Sequence, residues 1–273
     1  MTKTDMNKRL LFSSDMDRTL LNNESKVSSK MLSALFNFIE KGNCFVLNSG
    51  RPLKSVYDTA VNLEIPLKNT YICAYNGACI MDCETKEIVF GCPVSFEDTK
   101  EIIAMGKKHD VHIQGYYNEE IICRQKNECT EVYTQRIKMP LVEREDFDTF
   151  FKDGAFKLLA IDLFDKEKLE CLKNDINATL PKVHAFFSDN KYLEIISRNA
   201  DKGVALKKLS EILNIDIKDT YAAGDDENDI PMIKAAGLGI AMKNAKDAVK
   251  DAADMITEKT NDEDGLYDII MSL

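Results

Sequence analysis

Short apolar runs alternate along this chain with segments in which apolar residues recur every three or four positions. "LLFSSD", from Leu10, reads as a buried strand. In "SSKMLSALFNFIEKG", Met31, Leu32, Leu35, Phe36 and Ile39 fall at helical spacing, with Ser28 or Ser29 to cap the start and Gly42 to end it. "CFVLNSGR" is a second short apolar run ending in polar residues. "PLKSVYDTAVNLEI" reads as a helix with Pro52 in its first turn, and "TYICAYNGACI" as a further buried strand with a turn. Strands and helices that alternate in this way predict a parallel sheet with helices on both faces.

The pattern changes after about Asp82. "VHIQGYY" and "EEIICR" suggest paired strands, "FKLLAIDLF" another, residues 165–180 a helix, and "KVHAFFS" with "KYLEIIS" a hairpin around Asp189 and Asn190. The first pattern resumes at Lys202. "KGVALKKLSEIL" reads as a helix and "TYAAGDDEND" as a strand breaking into acids. "IPMIKAAG", "LGIAM" and "KDAVKDAAD" follow as helix, strand and helix. The expected organisation is one discontinuous, doubly wound α/β domain, residues 1–84 and 190–273, with a second α/β domain, residues 85–189, inserted into it.

Composition narrows the function classes. The 273 residues are 44% apolar and 30% charged, ordinary for a globular protein. The net charge of −10, with scattered acids, speaks against nucleic-acid binding, which needs a basic face. The opening "MTKTDMNKRLLF" has no apolar leader core, and no apolar run reaches membrane-spanning length, so a cytoplasmic protein is expected with no membrane partner. No obligate protein partner is evident. Cys73, Cys79, Cys83 and Cys92 fall close together, but their spacings do not match a zinc pair, and they read as small buried hydrophobes.

Three polar clusters each follow a predicted strand: Asp15 and Asp17; Ser49, Gly50 and Arg51; and Gly224 to Asp229. In an open parallel sheet, ligands bind beyond the carboxyl ends of the strands, so the clusters should converge there. Lys202, opening a helix, can reach the same place. Asp15, Asp17 and Asp225 would repel one another unless a cation joined them, and an all-oxygen ligand set suits Mg²⁺ with a substrate phosphate. One ionised carboxylate can attack phosphorus directly. The second can protonate the leaving oxygen and then activate water. Ser49, Lys202 and the cation would neutralise the transferring group.

At this point the chain resembles a known family. "DMDRTLL", "NSGR", "DKG" and "GDDENDIPM" are similar to the four motifs of the haloacid-dehalogenase (HAD) superfamily of phosphohydrolases. "YNGA", "NADKGVAL" and the late "NDEDGLYDII" resemble its Cof-like branch, subclass IIB. The resemblance implies a Rossmann-like core with an α/β cap that acts as a lid and chooses the substrate. It makes Asp15 the nucleophile and a Mg²⁺ ligand. Asp17 would be the general acid/base with its backbone carbonyl on the metal, and Asp225 a further ligand. Asp229 would support Lys202 or the metal shell. Ser49 would hydrogen-bond the phosphoryl group, Lys202 would neutralise it, and Asn228 would lie beside it. Gly50 and Arg51 would bind the phosphate, and Asn76 and Gly77 would sit near the hinge and face the substrate. Arg18 stands where the family usually has glycine. Were that position to need a positive φ, arginine would be costly there; its side chain could face solvent, the cap or the substrate.

The expected activity is Mg²⁺-dependent hydrolysis of small phosphorylated metabolites, such as sugar phosphates or phosphorylated cofactors, through an aspartyl phosphate. Two rivals stand beside it: a hexose phosphomutase using the same intermediate, and a non-enzymatic metabolite-binding protein on the same fold. His109, His112 and His184 lie in the insert with no nucleophile to pair with, and read as structural or surface residues. Arg124, Arg136 and Arg144 are also in the insert and read as largely solvated, with any that faces the core able to bind a substrate anion.

Overall fold

Leu11–Asp15 forms β1 and is buried along its whole length, as a strand covered on both faces must be. The computed structural model describes residues 8–273. The start of the opening segment therefore lies outside the described residues. Helix α1, Ser29–Glu40, follows β1; Ser28 is its cap, its hydroxyl accepting from the Met31 N–H, and Gly42, at φ +87°, turns the chain away. Next come β2 (Cys44–Asn48), α2 (Leu53–Asn62, with Pro52 one residue before its first turn), β3 (Thr70–Ala74), β4 (Cys79–Asp82) and β5 (Ile88–Gly91).

Residues from Gly91 to Ala200 form a separate compact unit. It contains α3 (Phe96–Lys108), β6 (His112–Tyr117), β7 (Glu120–Cys123), α4 (Glu128–Ile137), β8 (Leu141–Glu143), α5 (Phe147–Phe150), β9 (Leu158–Ile161), α6 (Lys166–Thr179), β10 (Val183–Asp189) and β11 (Tyr192–Ser197). Its six strands run in the order β10-β11-β9-β6-β7-β8. An apolar core joins Ile102 of α3, Leu158 of β9, Leu169, Leu172 and Ile176 of α6, and Ile195 of β11. The β10–β11 hairpin belongs wholly to this sheet, so the unit ends at Ala200 rather than at residue 189.

The first unit then resumes with α7 (Lys202–Leu213), β12 (Thr220–Gly224), α8 (Ile230–Ala235), β13 (Leu238–Ala241), α9 (Asp247–Lys250), β14 (Met255–Ile256) and α10 (Tyr267–Ser272). Its eight strands run β14-β13-β12-β1-β2-β3-β4-β5. The pairs from β14 across to β3 are parallel, and β4 turns back antiparallel on β3. Phe12 stacks on Phe45 and Tyr221, its register partners on the two neighbouring strands, and meets Phe38 of α1 edge-on. A second apolar layer sets Leu206 and Leu209 of α7 and Met232 of α8 against Leu11, Val46 and Ala222 of the sheet. Cys44 and Cys73 belong to that layer. Burial pushes the thiols of Cys73, Cys79 and Cys83 up to about 12, which keeps them protonated, as expected of small apolar residues. No helix among the described residues is long and apolar enough to cross a membrane.

Candidate active site

The chain leaves β1 towards β2 and later returns with β12 on the other side, so strand order reverses at β1. Such a switch point opens a crevice at the carboxyl ends of the strands. Asp15 ends β1, Ser49 follows β2, and Asp225 follows β12.

Lys202 lies at the centre of the site. It is the first residue of α7, behind Asp201, whose carboxylate accepts from the N–H groups of Gly203 and Val204, both at 2.7 Å. The ammonium is fully buried and donates to Asp15 Oδ1 at 2.5 Å, Asp229 Oδ1 at 2.6 Å and the Asn48 carbonyl at 3.1 Å. Burial opposes its charge, but Asp15 and Asp229 outweigh that, and its pKa stands above the ordinary lysine value. The other oxygen of Asp229 accepts from the N–H groups of Asp225 (2.9 Å) and Asp226 (3.0 Å), which fixes the loop after β12. Gly224 makes room for this, because a Cβ there would lie 2.5 Å from Asp229 Cγ. Thr19 donates to Asp225 Oδ1 at 3.1 Å.

Asp15, Asp225 and Asp229 each offer a carboxylate oxygen within 4.8 Å of the others, and all three are buried. Asp15 and Asp229 share the Lys202 ammonium, while Asp225 has only the largely exposed Arg18 guanidinium, 3.8 Å away. Burial, then the charge of Asp229, hold Asp15 well above the usual carboxylate range, and the same two causes push Asp225 up to about 6. A buried, all-oxygen cluster short of positive charge is the environment that a divalent cation relieves, so these residues fit Mg²⁺.

The other expected residues divide into two groups. Ser49 is buried, and its hydroxyl accepts from the Arg51 N–H at 3.2 Å. The loop after β2 is joined to the turn after β3: Asn76 N–H donates to the Ser49 carbonyl and Tyr75 N–H to that of Arg51, both at 3.1 Å. Asn228 donates to Asn76 Oδ1 at 3.1 Å, and Gly50 lies so close that a Cβ would be 2.9 Å from that oxygen. Asp17 is not in the acidic cluster. Its half-exposed carboxylate takes two parallel bonds from Arg51, Nε to Oδ2 at 2.9 Å and a terminal nitrogen to Oδ1 at 2.5 Å. This is the forked geometry with which arginine holds carboxylates and phosphates alike.

Two backbone features stand out. Arg18 has φ +61°, the left-handed region, at a cost of about 1–2 kcal/mol for a residue with a Cβ. Its guanidinium is largely exposed, with Nε 3.8 Å from Asp225 Oδ2. Tyr75, Asn76 and Gly77 are also all at positive φ. A Cβ on Gly77 would lie 2.2 Å from the carbonyl oxygen of Asp201, the residue that caps the Lys202 helix. Gly77→Ala is therefore expected to destabilise the protein by about 1–2 kcal/mol for the left-handed backbone plus about 1–3 kcal/mol for the overlap. Urea unfolding measures this; an unchanged midpoint would show that Asp201 yields without cost.

In the inserted unit, Arg124 pairs with Asp148, Arg144 with Asp146 at 2.8 Å, and Arg136 lies over the Tyr192 ring. His109 meets Asp175, and His112 meets Asn127 and Gln114. This unit also buries Lys157 at 3.5 Å from Glu194, beside hydroxyl-bonded Tyr116 and Tyr133, a cluster that no sequence pattern signalled. In the site itself, sequence reasoning missed Thr19 and Asn48. Thr19 stands two places after Asp17 and was within reach; Asn48 contributes a backbone carbonyl, which no residue type announces.

The chain is similar to known proteins over nearly its whole length. Residues 12–270 match the family model for haloacid dehalogenase-like hydrolases. A curated relative from Bacillus subtilis, the 5-amino-6-(5-phospho-D-ribitylamino)uracil phosphatase YcsE, is 29% identical over 259 residues, covering 94% of this chain and 92% of the relative. A crystal structure of a haloacid dehalogenase-like hydrolase from Bacteroides thetaiotaomicron superposes with a TM-score of 0.86 at 31% identity, over 97% of this chain and 99% of that one. The HAD subclass IIB sugar phosphatase BT4131 superposes at 0.77 with 22% identity, over 97% and 98% of the two chains, a likeness of fold.

Proposed function

Because this chain belongs to the haloacid dehalogenase-like hydrolases and is a phosphatase of that family, we propose that it falls in their Cof-like subclass IIB branch and hydrolyses small phosphorylated metabolites with Mg²⁺ bound at Asp15, Asp225 and Asp229. The observation that carries this reading is the buried cluster of three carboxylates, two of them bonded to Lys202. When bound, Mg²⁺ would supply the missing positive charge for these carboxylates and for the substrate phosphate.

Asp15 attacks phosphorus through its carboxylate oxygen, and the bond from phosphorus to the ester oxygen breaks. Arg51 passes from the Asp17 carboxylate to the substrate phosphate, and Asp17, in its acid form, protonates the departing oxygen. Asp17 then takes a proton from the water that attacks phosphorus of the aspartyl phosphate, releasing inorganic phosphate and restoring Asp15. Lys202 and the Ser49 hydroxyl hold the transferring group, with Asn228 beside it. Arg51 binds phosphate as it binds the Asp17 carboxylate. Asp229 orders the loop after β12 and fixes Lys202. The substrate is a small phosphate ester. Its class, sugar phosphates or phosphorylated cofactors, is supported by the relative YcsE, a phosphatase whose substrate carries its phosphate on a ribityl chain.

Phosphate release from a panel of small phosphate esters tests the reading. Release is expected with Mg²⁺ and not with chelator. Isomerisation of a hexose phosphate, dependent on a bisphosphate activator, would favour the mutase instead. Mg²⁺ at a hundredfold its Kd is also expected to stabilise the folded wild type by about 2.7 kcal/mol. Asp225→Asn should lose most of that gain in a thermal melt. An equal Mg²⁺ effect in both proteins would remove Asp225 from the metal site.

A further inference from the structure

The loop that carries Asp17 runs from the end of β1 to the Ser28 cap of α1. Within it, the Leu20 N–H donates to the Asp15 carbonyl at 3.3 Å, and those of Thr19 and Leu21 donate to the Met16 carbonyl at 3.4 and 2.8 Å. The strained residue, Arg18, directly follows Asp17. Its carbonyl accepts from Asn244 Nδ2 at 2.8 Å, and Asn244 Oδ1 accepts from the Asn261 N–H at 3.0 Å. The buried Asn261 side chain donates to the Leu21 carbonyl at 3.0 Å and to Asn23 Oδ1 at 3.3 Å. Asp262 accepts from the Asn23 N–H at 2.8 Å and from its side-chain amide, and Asp264 accepts from the Ser28 hydroxyl at 2.7 Å. The late "NDEDG" segment thus ties the loop down at several points.

We propose that Asn244 and Asn261 are positioning residues, which hold Arg18 in the left-handed region and so keep the loop bearing Asp15 and Asp17 in its reactive arrangement. Neither touches the reacting atoms; both act through the backbone of Arg18 and Leu21. Glycine at position 18 would adopt the same backbone without strain and would need no strap. The effect of Asn244 should therefore depend on what stands at position 18. As a statement about activity, the inference rests on the phosphatase reading above.

The experiment is a double-mutant cycle of Asn244→Ala and Arg18→Gly. Asn244 is half-exposed, so the single variant keeps the fold. Asn244→Ala is expected to lower kcat about tenfold with KM unchanged, and to speed amide exchange at Leu20 and Leu21. Added to Arg18→Gly, it should lower kcat less than threefold and leave those amides unmoved. The same cost in both backgrounds, or no cost in either, would overturn the inference. Amide exchange needs no substrate. If the wild type releases no phosphate from any ester, the phosphatase reading fails, and the exchange arm still decides whether the strap holds the loop.

Discussion

Replacing Asp15 with asparagine is expected to abolish phosphate release, by on the order of 10⁴-fold or more, as when any enzyme loses its nucleophile. An amide cannot attack phosphorus and leave as a carboxylate from an acyl phosphate. The fold should survive the change. The introduced amide would still present an oxygen to the Lys202 ammonium, which now lies 2.5 Å from Asp15 Oδ1 and keeps Asp229 and the Asn48 carbonyl. The substitution also removes a negative charge that burial and Asp229 make costly, since the Asp15 carboxyl stands well above its ordinary range. In chelator, the variant should therefore melt no lower than the wild type. Phosphate release by Asp15→Asn at the wild-type rate would remove Asp15 from the nucleophile's role. Lost activity with a collapsed melt would make Asp15 a structural residue first.

Lys202→Met is expected to damage both stability and activity. Lys202 is the one cation hydrogen-bonded to both Asp15 and Asp229 among the described residues, and its side chain is wholly buried. Removing one partner of a buried ion pair leaves its carboxylates uncompensated, at a typical cost of about 3–5 kcal/mol. Urea unfolding in chelator measures that cost. Lys202→Arg should not rescue it, because a planar guanidinium needs more room than a fully buried ammonium leaves. Phosphate release should also vanish, since the same ammonium orients Asp15 and would neutralise the phosphoryl group. A variant as stable as the wild type would mean that the carboxylates share protons or water without Lys202.

Much of the fold was legible because burial leaves a periodic trace. β1, β2 and β3 are buried at every position, as both covered faces require, and read as short, mostly apolar runs. The helix from Ser29 shows its buried face at Met31, Leu35 and Ile39. Helices α3 and α4 of the inserted unit are harder to read: their apolar residues are diluted by charge on exposed faces, as in "FEDTKEIIAMGKK". The domain edge expected near residue 189 falls later because a hairpin turn and a domain junction have the same polar residues. An edge at residue 189 cuts the hairpin that the sequence itself suggests, and the pairing of β11 with β10 and β9 keeps Tyr192–Ser197 in the second sheet.

The candidate site divides along the same line. Residue type and spacing singled out Asp15, Ser49, Lys202 and Asp225, each polar at or just after the end of an apolar strand or at the start of a helix, and the family resemblance gave Asp229 its role. Partner choice depends on distances between residues far apart in the chain, and those only the tertiary structure decided. It joins Asp17 to Arg51 across 34 positions and leaves Asp17 outside the acidic cluster. It gives Arg18 a positive φ and sets Asn244, 226 positions later, on its carbonyl. A carboxylate's charge is written in the sequence; which cation answers it, and how much water remains between them, is fixed when the strands pair and the loops close over their ends.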